Sequence, residues 1–155
     1  MTRCLVGVIS DTHGLVRPEV VQELQGSGRI VHAGDIGVAA VLDALRSVAP
    51  VTAVRGNMDK GAWAQRLPKT EVLEIEQVGV YVIHDLKQLD VVPEAAGITV
   101  VVSGHSHHPS IHERNGVIFV NPGSAGPRRF NLPVSLALLS VQGKSVEVNL
   151  VTLEV

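Results

Sequence analysis

The sequence predicts an α/β protein in which two sheets pack face to face with helices outside. Three observations carry that expectation. The first half alternates short apolar runs with amphipathic stretches in the order β-α-β-α-β, the pattern of a parallel sheet with crossover helices. The second half is rich in short strands joined by hairpin signals. At 155 residues, 45% of them hydrophobic, the chain can bury a real core but has the length of one domain, expected over residues 1–155.

The elements follow in order. Cys4–Ile9 is apolar along its whole length and stops at Ser10-Asp11, as a strand buried on both faces does. Pro18 starts a helix with Val20, Val21 and Leu24 as its apolar stripe, and Gly26-Ser27-Gly28 ends it. Arg29–His32 is a second strand, ending in Ala33-Gly34-Asp35. Residues 38–48 have helical spacing at Val38, Val41, Leu42 and Leu45, with Pro50 just beyond. Residues 51–54 form a third strand, ending in Arg55-Gly56-Asn57. Residues 71–75 and 78–83 read as a hairpin around Gln77, and 89–96 as a weak helix ended by Gly97. Residues 98–102 form a buried strand before Ser103-Gly104-His105. Strands at 111–113 and 117–120 flank Asn115-Gly116, a tight-turn dipeptide, and those at 134–141 and 146–153 flank Gly143.

Composition excludes several classes. Thirteen basic against 15 acidic residues give a formal charge of -2, so no electrostatic footprint for duplex nucleic acid is expected. One cysteine, Cys4, excludes an intramolecular disulfide framework and a Cys-only zinc site. No apolar run has the length of a membrane span, and the first ten residues are too short for a secretory signal. A soluble, cytoplasmic protein is the expectation. The apolar strands and Trp63 offer material for a homo-oligomer patch, though no pattern fixes one.

Metal-binding residue types stand where the apolar strands stop: Asp11 and His13, Asp35, Asn57, His84, and His105 and His107. Ligand sites in α/β sheets lie beyond the carboxyl ends of strands. Asp11-Thr12-His13 and His105-Ser106-His107 have i, i+2 spacing, so each pair can present two side chains to one centre in extended chain. Two carboxylates, four imidazoles and one amide oxygen are too many for one tetrahedral zinc and suit two ions if a carboxylate bridges. Mixed N/O ligation without thiolate favours Mn, Fe, Zn, Co or Ni over Cu(I) or an iron–sulfur cluster. Such a centre keeps net positive charge, which attracts a phosphate. A dinucleotide-binding reading of the β-α-β opening fails, because no G-x-G-x-x-G joins the first strand to its helix.

Other polar residues have blander readings. His32, inside a strand, reads as a buried hydrogen-bonded histidine, and His112 as a surface residue. Trp63 and Leu67 read as packing residues and Cys4 as an inert buried thiol. Asp59 fits either a turn cap or an acceptor behind the metal ligands. Arg128 and Arg129 fit either a solvated loop pair or a grip on phosphate oxygens.

The series Asp11-x-His13, Gly34-Asp35, Gly56-Asn57, His84 and Gly104-His105-x-His107 resembles the calcineurin-like metallophosphoesterase superfamily. The Ile9-Ser10-Asp11-Thr12-His13-Gly14 opening and Asn121-Pro122-Gly123-Ser124 resemble its small branch of YfcE-type phosphodiesterases and the Vps29 retromer subunit. The resemblance implies a four-layer α/β/β/α sandwich with a dinuclear site at one edge. It implies that Asp11, His13 and His107 hold one metal, that Asn57, His84 and His105 hold the other, and that Asp35 bridges. The implied reaction is hydrolysis of a small or exposed phosphoester by in-line attack of metal-bound hydroxide. The implied alternative is a protein-interaction module on the same fold.

Two residues depart from the family pattern. Met58 stands where many members carry a His that protonates the leaving group, and Met cannot transfer protons. His108 is the candidate replacement acid. Asp85 follows His84 where a small residue is expected, and either orients an imidazole or caps a helix before Leu86.

Overall fold

The computed structural model describes residues 3–129 and 131–155; Met1, Thr2 and Phe130 lie outside the described residues. In chain order the elements are β1 (Cys4–Ile9), α1 (Pro18–Leu24), β2 (Arg29–His32), α2 (Ala39–Arg46), β3 (Val51–Ala53), α3 (Ala62–Gln65) and β4 (Thr70–Ile75). They continue with β5 (Val78–Ile83), β6 (Val100–Val102), β7 (Ser110–Arg114), β8 (Val117–Asn121), β9 (Val134–Gln142) and β10 (Ser145–Leu153).

Ten strands make two five-stranded mixed sheets, ordered β10-β9-β1-β2-β3 and β4-β5-β6-β8-β7. In the first, β1, β2 and β3 run parallel, and the β9–β10 hairpin joins antiparallel to β1. In the second, β5, β6 and β8 run parallel, with β4 and β7 antiparallel at the edges. The sheets face each other across a core built mostly of valine. Val6, Val8 and Val31 of the first sheet pack against Val80, Val82, Val100, Val102 and Val120 of the second. Fully burying each such side chain stabilises by about 1.5–3 kcal/mol.

Alternation in β1 sends Ile9 to the opposite face, where α1 and α2 cover the sheet with Val20, Leu24, Val41, Leu42 and Leu45. Gly7 lets α1 sit close, because a Cβ there would run into the Leu24 side chain. Pro18 opens α1 as expected. Trp63 packs at the border of this second core. Cys4, expected buried, is partly exposed, because it opens β1 at the margin of the core.

The outer face of the second sheet is covered thinly. The helix expected over 89–96 is instead two 3-10 turns, Leu86–Gln88 and Pro93–Ala96. Pro93 has no N–H to give and forces Val92 to stay extended, which stops a helix from running through. Leu86, Leu89 and Val91 still cover Tyr81, Ile83, Val101 and Phe119, so the four layers hold. The Asn115-Gly116 turn forms as expected, with φ of 55° and 78°, the signs that a type I′ hairpin requires.

The carboxyl ends of β1, β2 and β3 lie at one edge of the first sheet, because these strands are parallel. Those of β5, β6 and β8 lie together in the second for the same reason. Every proposed ligand follows one of these ends. Among the described residues no helix is long and apolar enough to cross a membrane.

Candidate metal centre

At this edge the backbone is held in an uncommon conformation. Asp11, His13, Asp35, His105 and His107 all have positive φ, between 45° and 72°. A non-glycine residue there costs on the order of 1 kcal/mol or more, least for Asp and His, and such strain collects at functional sites. Hydrogen bonds between the loops hold it: Asp11 N–H to the Gly34 carbonyl at 3.0 Å, His13 N–H to Asp35 at 3.0 Å and Gly14 N–H to Ile36 at 2.7 Å.

The side chains converge in two groups. Asp11, His13 and His107 bring one ligand atom each within 4.8 Å of one another, and Asp35, His84 and His105 do the same. In the first group His107 Nε2 lies 3.4 Å from Asp11 Oδ1 and 3.4 Å from His13 Nε2. In the second His84 Nε2 lies 3.3 Å from Asp35 Oδ2 and 3.0 Å from Asn57 Oδ1. Asp35 Oδ2 also lies 3.8 Å from His13 Nε2, so it faces both groups.

Each carboxylate divides its two oxygens. Asp11 Oδ2 accepts from the Ser10 hydroxyl at 2.8 Å and from His105 N–H at 3.1 Å. Gly104 permits this approach, since a Cβ there would sit 2.8 Å from Asp11 Oδ2. Asp11 Oδ1 is buried with no hydrogen-bond partner. Asp35 Oδ1 accepts from Met58 N–H at 2.9 Å, while Oδ2 faces the imidazoles. His84 Nδ1–H donates to the Ala33 carbonyl at 2.8 Å, which turns Nε2 inward toward Asp35 and Asn57.

The surrounding charges pull in opposite directions. Burial raises the Asp11 pKa, against the Ser10 hydrogen bond and the imidazoles. Burial also pushes Asp35 up, but its hydrogen bonds to His84 and Met58 N–H outweigh that and its pKa is lowered. His84 answers in the opposite sense: burial pushes it down, and the Asp35 carboxylate brings it up. Burial lowers His107, against the pull of Asp11 and with help from the Arg129 charge. A buried carboxylate oxygen with no donor, facing two imidazole nitrogens, is an acceptor set suited to a cation. Hard-to-borderline divalent ions fit this O/N chemistry.

Behind the candidate ligands lie supporting residues, of which Asn121 and Ser124 were given no role by the sequence. Asn121 Nδ2 donates to the Gly104 carbonyl at 3.0 Å and lies 3.1 Å from Ser106 Oγ, bracing the loop that carries His105 and His107. Ser124 Oγ donates to the Asp11 carbonyl at 3.1 Å. The Asn-Pro-Gly-Ser segment at the end of β8 was the available signal. Asp59 takes both its possible roles, turning the chain after Asn57 and accepting from Gly37 N–H at 3.0 Å and Gly56 N–H at 2.9 Å. His32 is fully buried, between Gly34 N–H and Thr12 Oγ1.

The remaining candidates stand at the rim. His108 is exposed, with Nδ1 3.2 Å from the Pro109 carbonyl oxygen. Arg128 and Arg129 are exposed after the Ser124 loop. Asp85 caps the first 3-10 turn, accepting from Lys87 N–H at 3.1 Å. His112 is exposed and stacks on Phe119 at 5.0 Å.

Two sheets with parallel-strand ends meeting over paired acid–imidazole groups define a metallophosphoesterase type of architecture. A family model described as the calcineurin-like phosphoesterase superfamily domain matches residues 4–144, and the chain belongs to that superfamily. It is 37% identical over 163 aligned positions to a probable metallophosphoesterase of Methanocaldococcus jannaschii, covering 97% of this chain and 82% of that one. Its fold is that of vacuolar protein sorting 29 from Cryptosporidium parvum, with a TM-score of 0.85, 19% identity and coverage of 99% and 93% of the two chains. It also matches an archaeal protein characterised as a phosphodiesterase, with a TM-score of 0.79, 19% identity and coverage of 95% and 99%.

Proposed function

We propose that this chain is a dinuclear, metal-dependent phosphodiesterase acting on a small or exposed phosphoester. The observation that carries the reading is the position of Asp35 Oδ2, which faces His84 of one ligand group and His13 of the other. Asp11, His13 and His107 would hold one divalent ion, and Asn57, His84 and His105 the other, with Asp35 between. The family resemblance makes manganese the first choice, and Fe, Zn, Co and Ni are the other ions this donor set accepts. Two such ions supply a hydroxide nucleophile at neutral pH and Lewis acids for the phosphoryl oxygens.

The chain's own residues do the rest. Ser10 and His105 N–H hold one oxygen of Asp11 so that the other points inward. Ala33 fixes the His84 tautomer. Arg128 and Arg129 extend positive charge from the rim toward incoming phosphate. Met58 gives Asp35 its backbone N–H but brings no proton for the leaving group, so esters with good leaving groups are favoured. His108, directly after the His105–His107 pair and exposed at the rim, is the candidate replacement acid.

One observation favours a second reading, a protein-interaction module. Leu15, Val38 and Met58 are all exposed on ligand-bearing loops and give the site an apolar rim. Against it, all seven positions keep ligating chemistry. The deciding experiment is hydrolysis of bis-p-nitrophenyl phosphate by metal-stripped protein titrated with Mn²⁺. Activity that rises with Mn²⁺ supports the enzyme. Silence with Mn²⁺, Zn²⁺, Co²⁺ and Ni²⁺ supports the module.

A further inference from the structure

Asn57, His84 and His105 line a groove of about 580 Å³, and two cations, Arg55 and Lys69, line it with them. Both cations stand beside ligands. Arg55 comes two residues before Asn57. Lys69 precedes Thr70, whose β5 partner Ile83 is the residue before His84. Arg55 N–H donates to the Pro68 carbonyl at 2.8 Å, drawing the two cation-bearing segments together.

Neither cation is neutralised. Arg55 Nη1 donates to Gln65 Oε1 at 2.9 Å, a neutral partner that orients the guanidinium and leaves its remaining donors open. Among the described residues no acid pairs with Arg55 or Lys69. The groove's acids, Asp85 and Asp90, come from the segment after β5, and Asp85 spends Oδ1 on its turn. The groove is therefore polarised. Positive charge lies on the β3–β4 side and negative charge on the segment after β5, so an anion has one place to sit.

We propose that Arg55 and Lys69 form a subsite for a second anionic group on one ester arm of the substrate. The preferred substrates are then phosphodiesters that carry a further phosphate or carboxylate a few bonds from the scissile phosphorus. This rests on the phosphodiesterase reading above. Arg offers a planar fork to such a group and Lys a point charge, and each discriminates through binding rather than through the chemical step.

The test uses the full chain with Mn²⁺ and two substrates that differ by one phosphate. These are thymidine 5′-(p-nitrophenyl phosphate) and the same ester with a 3′-phosphate; both release p-nitrophenol from the same bond. The 3′-phosphate should raise kcat/KM about tenfold, mainly through KM. Lys69→Gln and Arg55→Gln should each bring that ratio toward one, and Lys69→Arg should keep most of it. A wild-type ratio near one, or a ratio that survives both Gln substitutions, overturns the subsite. Calorimetry separates this failure from failure of the reading beneath it. Thymidine 3′,5′-bisphosphate should bind about tenfold more tightly than thymidine 5′-monophosphate, with the preference lost in the Gln variants, whether or not either ester turns over. That preference without turnover upholds the subsite and removes the phosphodiesterase. Turnover of both esters without preference does the reverse.

Discussion

Thr12 and His32 meet in a 2.9 Å hydrogen bond beneath the loops that carry Asp11 and Asp35. Gly34 N–H donates to His32 Nδ1 at 3.1 Å, so that nitrogen holds no proton. Nε2–H then donates to Thr12 Oγ1, whose own proton goes to the Ile36 carbonyl at 2.9 Å. Every atom is satisfied only while the ring is neutral.

That wiring has a pH signature. Burial lowers the His32 pKa from 6.5 to about 3. Between those values the unfolded chain binds a proton that the folded chain refuses. The contribution is whole above pH 6.5 and is lost as pH falls toward 3, at about 1.4 kcal/mol per pH unit. Imidazole NMR should find His32 as the Nε2–H tautomer down to pH 4, and His32→Gln should flatten the loss of stability in acid. A His32 ring titrating near 6.5 would refute the wiring.

Asp35→Asn tests the bridge. One oxygen facing both groups predicts that the two metals weaken together, with activity falling on the order of 100-fold. Metal content by mass spectrometry checks it. Normal content of both metals with full activity would remove Asp35 from the site.

Asp59→Ala should strip acceptors from Gly37 N–H and Gly56 N–H at once. Each lost bond costs about 1–3 kcal/mol where the donor stays buried, and metal affinity should drop about 10–100-fold as the Asn57 loop loosens. Denaturant melts and metal titration of the same variant are the two readouts. Loss of stability with unchanged metal affinity would confine Asp59 to the turn.

Met58→His should restore a proton donor without disturbing the Met58 N–H bond to Asp35, which belongs to the backbone. The side chain is 56% exposed, so the ring has room. Esters with poor leaving groups should gain at least about tenfold in kcat, and bis-p-nitrophenyl phosphate little. A plot of rate against leaving-group pKa should flatten; an unchanged slope would mean that the reaction draws its proton from elsewhere.

Much of this was legible because strand ends announce themselves. Apolar runs that stop at Asp11, Asp35, Asn57, His84 and His105 carry both the sheet topology and the place where those residues meet. Asn115-Gly116 specifies its hairpin for the same local reason, since both residues tolerate positive φ. The stretch over 89–96 misled because its apolar spacing is compatible with a helix while Pro93 forbids one. The roles of Asn121 and Ser124 escaped because each acts through backbone groups on loops distant in sequence. Short polar residues after a strand look alike until the fold decides which N–H or carbonyl they reach.

Asp11, His13, Asp35 and Asn57 follow strands of one sheet, whereas His84, His105 and His107 follow strands of the other. Each proposed metal position draws on both. An ion held there would act as a rivet through the rim of the sandwich, clamping two sheets whose shared core is mostly greasy, slip-prone valine. The spacing of this edge would then depend on its cargo, and the same ions proposed to drive the chemistry would keep the two halves of the protein in register.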